Sequence, residues 1–243
     1  MWVENILLAA AAAQPATLAE WWAKYGNMLL SAIWATVYMT VVSTFVGYLF
    51  GLPLGVVLTV TDKDGLKPNA GIYKILDFIC NILRSVPFLI LLILIIPFTK
   101  MLVGKSYGTT AVIVPLTIAA IPFIARMVES SLKEVDAGVI EAAQSMGASN
   151  LQIVWKVLLV EGRTSLLVNA TIAMGTILGY SAMAGAVGGS GLGAIAIQYG
   201  YNRYQYDIMF VTVVLLIILF QLFTNLGMFI SRKLDKRRTG DGK

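Results

Sequence analysis

The sequence has no histidine, a single cysteine (Cys80) and few charged residues among its 243 positions. These absences exclude a disulfide framework, a histidine-ligated metal site and catalysis by a histidine acid or base. Charged residues make up 13% of the chain and hydrophobic residues 58%, whereas soluble domains carry roughly 25% charged residues. The composition predicts a non-catalytic integral membrane protein that binds no cofactor or metal itself. The net charge of +5 is explained by loops beside membrane spans and not by nucleic-acid binding.

Long apolar segments predict an all-α membrane protein with five transmembrane helices. A straight helical span needs about 20 residues, and the apolar runs are long enough for one span each. We expect the spans at residues 25–61, 72–99, 106–125, 164–187 and 208–231. The glycine-rich stretch 188–193 is a connection and lacks the lysine and hydroxyl residue that end a phosphate-binding loop.

Two features of the spans predict how they pack. Gly47, Gly51 and Gly55 recur at every fourth position, which allows another helix backbone to approach closely, most simply within the same subunit. Arg126 and Glu129 lie three residues apart and are expected to form an ion pair.

The second span carries unusual residues for a membrane helix. Asp77 and Arg84 interrupt its apolar run, and Pro87 and Pro97 predict local bends. A spanning length requires that Arg84 extend to the nearer membrane interface.

The basic residues predict the orientation. Five spans place the two termini on opposite sides, and fourteen of the 18 lysines and arginines then fall on the side of the C-terminus. Because cytoplasmic loops carry the excess of basic residues, the N-terminus is expected outside and the C-terminus inside. The chain divides into an extracytoplasmic tail (1–26), a transmembrane domain (27–231) and a basic cytoplasmic tail (232–243). The polar segment 133–163 then lies in the cytoplasm.

This cytoplasmic segment is predicted to form a helical hairpin. Its first helix, residues 137–146, has an apolar face that we expect to pack on the bundle, formed by Val139, Ile140, Ala143 and Met146. The opposite face presents Glu141, Gln144 and Ser145 outward. Gly147 suits a left-handed helix cap.

A second helix of the hairpin begins at Ser149. Ser149 and Gln152 match a capping box at its start. Its predicted buried face contains Leu151, Val154, Trp155 and Leu158. So much capping chemistry favours a docking surface over a simple linker.

The same residues resemble a known family. Glu141-Ala142-Ala143, followed by Gly147 and then by residues 157–160, resembles the EAA signature of the membrane subunits of bacterial ABC importers. That signature ends in Ile-x-Leu-Pro, so Val157 is a conservative replacement and Val160 stands where the family has proline. Longer stretches, including 84–88, 113–117, 122–129, 179–183 and 199–201, are similar to the methionine-importer permeases.

The resemblance implies a type I importer permease fold in the bacterial inner membrane. It implies a homodimer with two ATP-binding cassette subunits on the cytoplasmic side and an extracytoplasmic substrate-binding protein. ATP and magnesium are used by the ATPase and not by this chain. The residues expected to couple the ATPase to the spans are Glu141, Ala142, Ala143, Gln144, Ser145 and Gly147.

The fourth span supplies candidates for the translocation pathway. These are Tyr180, Ser181, Ala182 and Met183. Met183 is a candidate gate because its thioether is flexible and polarizable; an ordinary packed methionine is the alternative.

Other functions fit the sequence less well. A permease for a more polar solute predicts more ionisable residues in the spans, and a membrane protease or lipid transferase requires a nucleophile with a base or a carboxylate pair. A secondary carrier and a membrane scaffold remain alternatives, although a scaffold does not require spans broken by glycine and proline.

Overall fold

A computed structural model describes residues 17–234, and helices form nearly all of this part of the chain. The helices, in chain order, are α1 (Leu18–Thr61), α2 (Ala70–Ser85), α3 (Phe88–Leu94), α4 (Ile96–Val103), α5 (Thr109–Lys133), α6 (Ala137–Ser145), α7 (Asn150–Ile153), α8 (Leu159–Glu161), α9 (Arg163–Ala184), α10 (Leu192–Ile195) and α11 (Tyr206–Leu234). A π-helical turn, Val154–Leu158, joins α7 to α8, and another, Ala196–Tyr201, follows α10. The described residues contain no strand. Most of the predicted N-terminal tail and the end of the C-terminal tail lie outside the described residues.

Four helices are long and apolar enough to cross a membrane. They are α1, α5, the segment Arg163–Val187 and α11. The predicted first, third, fourth and fifth spans are therefore confirmed as continuous helices. With its 44 residues, α1 is about 66 Å long by the rise of an α-helix, well beyond the roughly 30 Å of a bilayer core. Its start is tied to the start of α11, because Trp21 Nε1 donates a hydrogen bond to Asp207 Oδ2 at 2.5 Å.

The predicted second span is not one helix with local bends. It consists of α2, α3 and α4, and α3 turns away from α2 by 99°. The chain reaches an extended conformation at Val86, with φ −78° and ψ 123°, because a residue before proline is disfavoured in the helical region. If α2 and α3 are taken together as one broken span, the number of spans is five.

Helix α2 turns its polar side inward. Tyr73 and Asp77 face α5, where both take part in hydrogen bonds to its charged side chains. The side chains of Ile75, Phe78 and Ile82 point away from the subunit and are exposed. A helix whose apolar face is outermost suits a lipid environment, where the polar side must find partners inside the protein.

Helices α1 and α5 pack closely against each other along the predicted glycine stripe. A Cβ atom added at Gly55 would lie 2.6 Å from the backbone oxygen of Ala125, and one added at Gly51 would lie 2.9 Å from the backbone oxygen of Ile121. At Gly47 the nearest atom would be 2.8 Å away, on Ile124. The stripe therefore mediates helix contact within the subunit, as the simpler interpretation predicted.

We expect Gly55→Leu to destabilise the subunit strongly. The side chain would meet backbone, which cannot move aside, so the helices must separate, and overpacking of a tight core costs typically about 1–3 kcal/mol. The melting temperature of the purified protein in detergent is the measurement. Gly179→Ala is the matched control, because a Cβ added there meets nothing within 4 Å and alanine favours a helix by about 1 kcal/mol. Equal melting temperatures for the two variants would contradict the role of the stripe.

The hydrophobic core runs the length of α5 and continues into the hairpin. Buried residues recur along one side of α5 from Leu116 to Leu132, and the same cluster includes Ala143, Ile153 and Leu158. The hairpin is therefore packed as an extension of the bundle and not as a separate module.

The glycine-rich connection between the fourth and fifth spans folds back against α1. Gly191 has φ +91°, a conformation that disfavours side chains, and an added Cβ would lie 2.5 Å from Thr36 Oγ1. The Leu192 amide donates to the same hydroxyl at 2.9 Å. The short helix α10 thus starts from a fixed point on α1.

Candidate coupling surface and translocation pathway

The cytoplasmic segment predicted from the sequence is a helical hairpin, formed here by residues 134–161. The Asp136 side chain caps α6 by accepting a hydrogen bond from the Gly138 amide at 2.8 Å. At the other end Gly147 has φ +78°, and the Ala148 amide donates to the Ala143 oxygen at 3.1 Å. This is the predicted left-handed cap, which closes the helix and reverses the chain.

The predicted packing face of α6 is wrong at two of its four positions. Ala143 is buried and Ile140 half-buried, but Val139 is 43% and Met146 82% exposed. The physical reason is that a nine-residue helix lies over the end of the bundle and is covered along only one narrow stripe. Val139, Ala142 and Met146 lie on the uncovered side instead, and they form an outer apolar stripe.

The second arm of the hairpin departs from the predicted face in the same way. Its capping box is confirmed, with the Ser149 amide donating to Gln152 Oε1 at 2.8 Å. Leu151 and Trp155 were expected to be buried, but they are 68% and 62% exposed. A π-helical turn at Val154–Leu158 changes which residues face the bundle from Val154 onward, whereas Leu151 lies before it, in the first turn of α7. Ile153, in place of Leu151 and Trp155, is buried beside the correctly predicted Val154 and Leu158.

The polar residues of α6 flank a cleft between the hairpin and the bundle. Glu141 and Gln144 line this cleft, which has a volume of about 520 Å³ and whose opposite wall includes Asp62 and Lys133. Ser145, like Glu141 and Gln144, is exposed. These three residues are exposed, as predicted, so the exposed surface of α6 carries both polar and apolar side chains.

Beneath the hairpin, an ion-pair network joins α2 to α5. Arg126 Nη1 donates to Glu129 Oε2 at 2.7 Å, which confirms the predicted pair. The same guanidinium also donates to Asp77 Oδ1 and to Asn81 Oδ1. The Glu129 side chain is only 5% exposed, and its other oxygen accepts a hydrogen bond from the Tyr73 hydroxyl at 3.0 Å.

Lys133 extends the network to the end of α1. Its Nζ lies 2.8 Å from Glu129 Oε1 and 2.7 Å from Asp62 Oδ2. The hydrogen bond from Lys133 holds the pKa of the Asp62 carboxyl below its usual range. One connected set of charges therefore fixes α1, α2 and α5 to one another immediately before the chain enters the hairpin.

Helix α9 is held at the same level by neutral hydrogen bonds. Asn169 Nδ2 donates to Ser131 Oγ at 2.7 Å and to the Met127 oxygen at 3.2 Å. The Ser165 hydroxyl donates to Ser131 Oγ at 3.2 Å. Polar contacts therefore join α1, α2, α5 and α9 to one another at the level just below the hairpin.

The four predicted pathway residues do not line one surface. Tyr180 stacks on Phe88 with ring centroids 4.7 Å apart, Ser181 is buried and donates to the Leu178 oxygen, and Ala182 lines a groove against α11. Met183 is 52% exposed. Successive side chains on a helix point in directions about 100° apart, so consecutive residues reach different neighbours.

Sequence reasoning missed the most exposed apolar side chains of the hairpin and the connections among the charged residues. Met146 and Trp155 were assigned to the core because their spacing is helical, and no local signal says what covers them. Asp77 is unusual in an apolar run and Arg126 is predicted to pair with Glu129, but the pairing of Asp77 with Arg126 joins positions 49 residues apart. Within residues 17–234 no group of three or more Cys, Asp or Glu side chains is arranged to hold a metal ion.

Comparison with known proteins identifies the family. Residues 51–240 match the model of the binding-protein-dependent transport system inner membrane component family. The chain belongs to this family. Its fold is that of a type I ABC importer permease.

Similar proteins of this family carry methionine transport in their names. The chain is 52% identical over 221 residues to the "Probable D-methionine transport system permease protein MetI" of Vibrio cholerae. The aligned region covers 91% of this chain and 98% of that protein. It is 52% identical over 158 residues to the D-methionine transport system permease protein MetI of Salmonella typhimurium, covering 65% of this chain and 73% of the relative.

Solved structures agree on the architecture. A chain of the MetNI methionine ABC transporter in an inward-facing conformation superposes with a TM-score of 0.86 and 48% identity, covering 88% of this chain and 99% of that one. An amino acid ABC transporter solved with histidines gives a TM-score of 0.73 at 20% identity, over 90% of this chain and all of that one. The second match extends the likeness of fold to a more distant transporter.

Proposed function

We propose that this chain is the membrane permease subunit of an ATP-driven importer that carries methionine or a related amino acid across the inner membrane. The relatives with about half of their residues identical are named for methionine transport. The chain would work as a homodimer with two ATPase subunits and an extracytoplasmic substrate-binding protein. ATP and magnesium would be bound by the ATPase alone, and this chain would have no catalytic site.

The observation that carries the coupling role is the exposed apolar surface of the hairpin. Val139, Met146, Leu151 and Trp155 are large apolar side chains on a polar segment, and all four are more than 40% exposed. Contiguous exposed apolar patches mark contact sites for other proteins. We infer that this surface seats on the ATPase, with Ala142, Ser145 and Glu141 at the same contact.

The packing below the surface suits the transmission of movement. The buried stripe of the hairpin belongs to the same core as α5, and the charge network ties α5 to α1 and α2. A displacement of the hairpin by the ATPase would therefore move these helices together. Met183 and Tyr180 would line the translocation pathway, since Met183 is exposed and Tyr180 borders a cavity.

The proposed orientation places the N-terminus outside and the C-terminus inside. It rests on the excess of basic residues in the loops on the hairpin side and in the C-terminal tail. In this orientation the hairpin faces the cytoplasm, where the ATPase binds ATP. The transmembrane domain would span residues 27–231, followed by the basic tail 232–243.

Reconstitution tests the proposed function. In vesicles that contain the permease, the ATPase and the binding protein, we expect accumulation of radiolabelled methionine that requires all three proteins and ATP. Arginine and glutamate serve as competing solutes, and both stereoisomers of methionine are compared. Uptake without the ATPase would instead indicate a secondary carrier. Uptake of another amino acid but not of methionine would overturn the substrate assignment.

A further inference from the structure

A small cavity lies where the end of α2 meets α3. It has a volume of about 170 Å³, and its walls include Arg84, Phe88, Ala119, Phe123 and Tyr180. This volume is below the roughly 300–1,000 Å³ of pockets for drug-sized ligands, so the cavity suits one small molecule.

The cavity lies at mid-height of the spans, and the Arg84 side chain at its edge is exposed. Ala119 is ten residues from the first residue of α5 and fourteen from the last. By the rise of an α-helix these separations are about 15 Å and about 21 Å. Arg84 therefore lies beside the middle of α5, and the extension of its side chain to the membrane interface stays a prediction.

Arg84 carries the only charge in the cavity wall, and no residue within 17–234 pairs with it. A cation at the level of a membrane span is costly unless it is paired or hydrated, and such residues are usually functional. Apart from Glu20 and Asp207 in the first turns of their helices, the described spans carry only two carboxylates, Asp77 and Glu129. Both already accept hydrogen bonds from Arg126.

Within residues 17–234, the spans of a second copy of the chain therefore offer no carboxylate at this depth that is free of Arg126. The exposed guanidinium of Arg84 is thus available to an anionic group of a molecule that is not part of the subunit. A guanidinium group is suited to this because it can bind both oxygens of a carboxylate at once.

The rest of the cavity wall is aromatic and would contact the apolar part of such a molecule. The rings of Phe88 and Tyr180 lie nearly parallel, with an interplanar angle of 4°, and Phe123 adds a third ring. Rings held in this way offer a rigid apolar surface. The cavity therefore combines one carboxylate-binding group with an aromatic wall.

We propose that Arg84 and this aromatic wall form a binding site, within the spans, for a small α-amino acid with an uncharged apolar side chain. The substrate carboxylate binds Arg84, and its side chain lies against the rings. The proposal rests on the proposed function and adds a substrate site in the permease itself. Without substrate, Arg84 has no ion-pair partner within residues 17–234. The substrate carboxylate would supply one during its passage.

Protection from thiol labelling tests the site directly. The probe is a cysteine at Ala119 in the complete transporter, with Cys80 replaced by alanine. We expect methionine to slow its reaction with a small methanethiosulfonate reagent, and methionine amide, which lacks the carboxylate, to have no effect. A cysteine at Tyr107, far from the cavity, should react equally with or without methionine.

The functional test uses Arg84→Gln. We expect its methionine uptake at subsaturating concentration to fall about 10- to 100-fold, the loss expected for one charge-assisted hydrogen bond. Arg84→Lys should retain part of the uptake, because it keeps the charge but not the planar fork. Lys74→Gln, an exposed cation on the same helix, is the matched control and should behave as wild type.

The outcomes separate this site from the proposed function. If the wild-type transporter takes up methionine, but Arg84→Gln does so equally well and methionine does not protect the cysteine at position 119, the site is refuted and the function stands. Equal protection by methionine amide also refutes it. Failure of wild type to carry methionine would instead overturn the proposed function. Normal labelling at position 107 and a wild-type melting temperature show that the Arg84 variants are folded.

Discussion

Met146→Glu is expected to separate ATP hydrolysis from transport while leaving the permease folded. Met146 is 82% exposed at the end of α6, so a glutamate there disturbs nothing inside the subunit. In the complex the same position would lie against the ATPase. An unpaired carboxylate there would lose its hydration shell, which is unfavourable. Loss of a central contact residue costs about 2 kcal/mol or more, which weakens binding at least about 30-fold.

The measurement is the affinity of the detergent-purified permease for its ATPase, together with methionine uptake and ATPase stimulation in vesicles. Tyr107→Glu is the matched control, because Tyr107 is 73% exposed but lies at the opposite end of α5 from the hairpin. Both variants should melt at the wild-type temperature, and only Met146→Glu should lose coupling. Wild-type affinity and uptake in Met146→Glu would show that the apolar stripe is not the contact surface.

The elements set by local interactions were predictable from the sequence. Gly147 takes the left-handed conformation and the Ser149–Gln152 capping box is formed, because each depends on atoms within a few residues. The glycine stripe from Gly47 to Gly55 is also where the sequence predicts close packing. A backbone can approach such a stripe wherever a partner helix is available.

The direction in which a helix face points was less predictable. Helical spacing showed that Val139 and Met146 are near each other, but not that the bundle is too narrow to cover both. Trp155 illustrates a second limit, since a π-helical turn shifts every residue after it relative to an ideal helix. Resemblance to a family did not correct either error.

In the broken second span, polar contacts to a neighbouring helix determine which side of α2 faces inward. Asp77 and Asn81 turn toward Arg126 on α5, so the polar side of α2 is inside and its apolar side outside. Arg84, one turn beyond Asn81, is thereby held beside the cavity. The sequence contained all these residues, but their partners lie on a different helix.

Arg126→Gln is expected to be the most destabilising change among the charged residues. It removes the group that holds α2 against α5 and leaves Asp77 beside a polar side chain without charge. The Arg126 and Asp77 side chains are 14% and 33% exposed, so the loss should lie between the about 1 kcal/mol of an exposed pair and the about 3–5 kcal/mol of a fully buried one. Glu129 keeps its contact with Lys133 at 2.8 Å, so the loss should fall mainly on the contact with α2. The loss appears as a lower melting temperature and as less methionine uptake for each ATP hydrolysed.

Replacing the partner as well distinguishes a specific pair from general loss of packing. In Arg126→Gln/Asp77→Asn no unpaired carboxylate remains, so the double variant should regain part of the stability lost by Arg126→Gln alone. Lys63→Gln is the control, since Lys63 and Asp64 are 84% and 81% exposed and 3.6 Å apart, and exposed pairs contribute only about 0–1 kcal/mol. If Asp77→Asn instead adds its full destabilisation to that of Arg126→Gln, the two residues act independently. The network would then not be what joins α2 to the helix that leads into the hairpin.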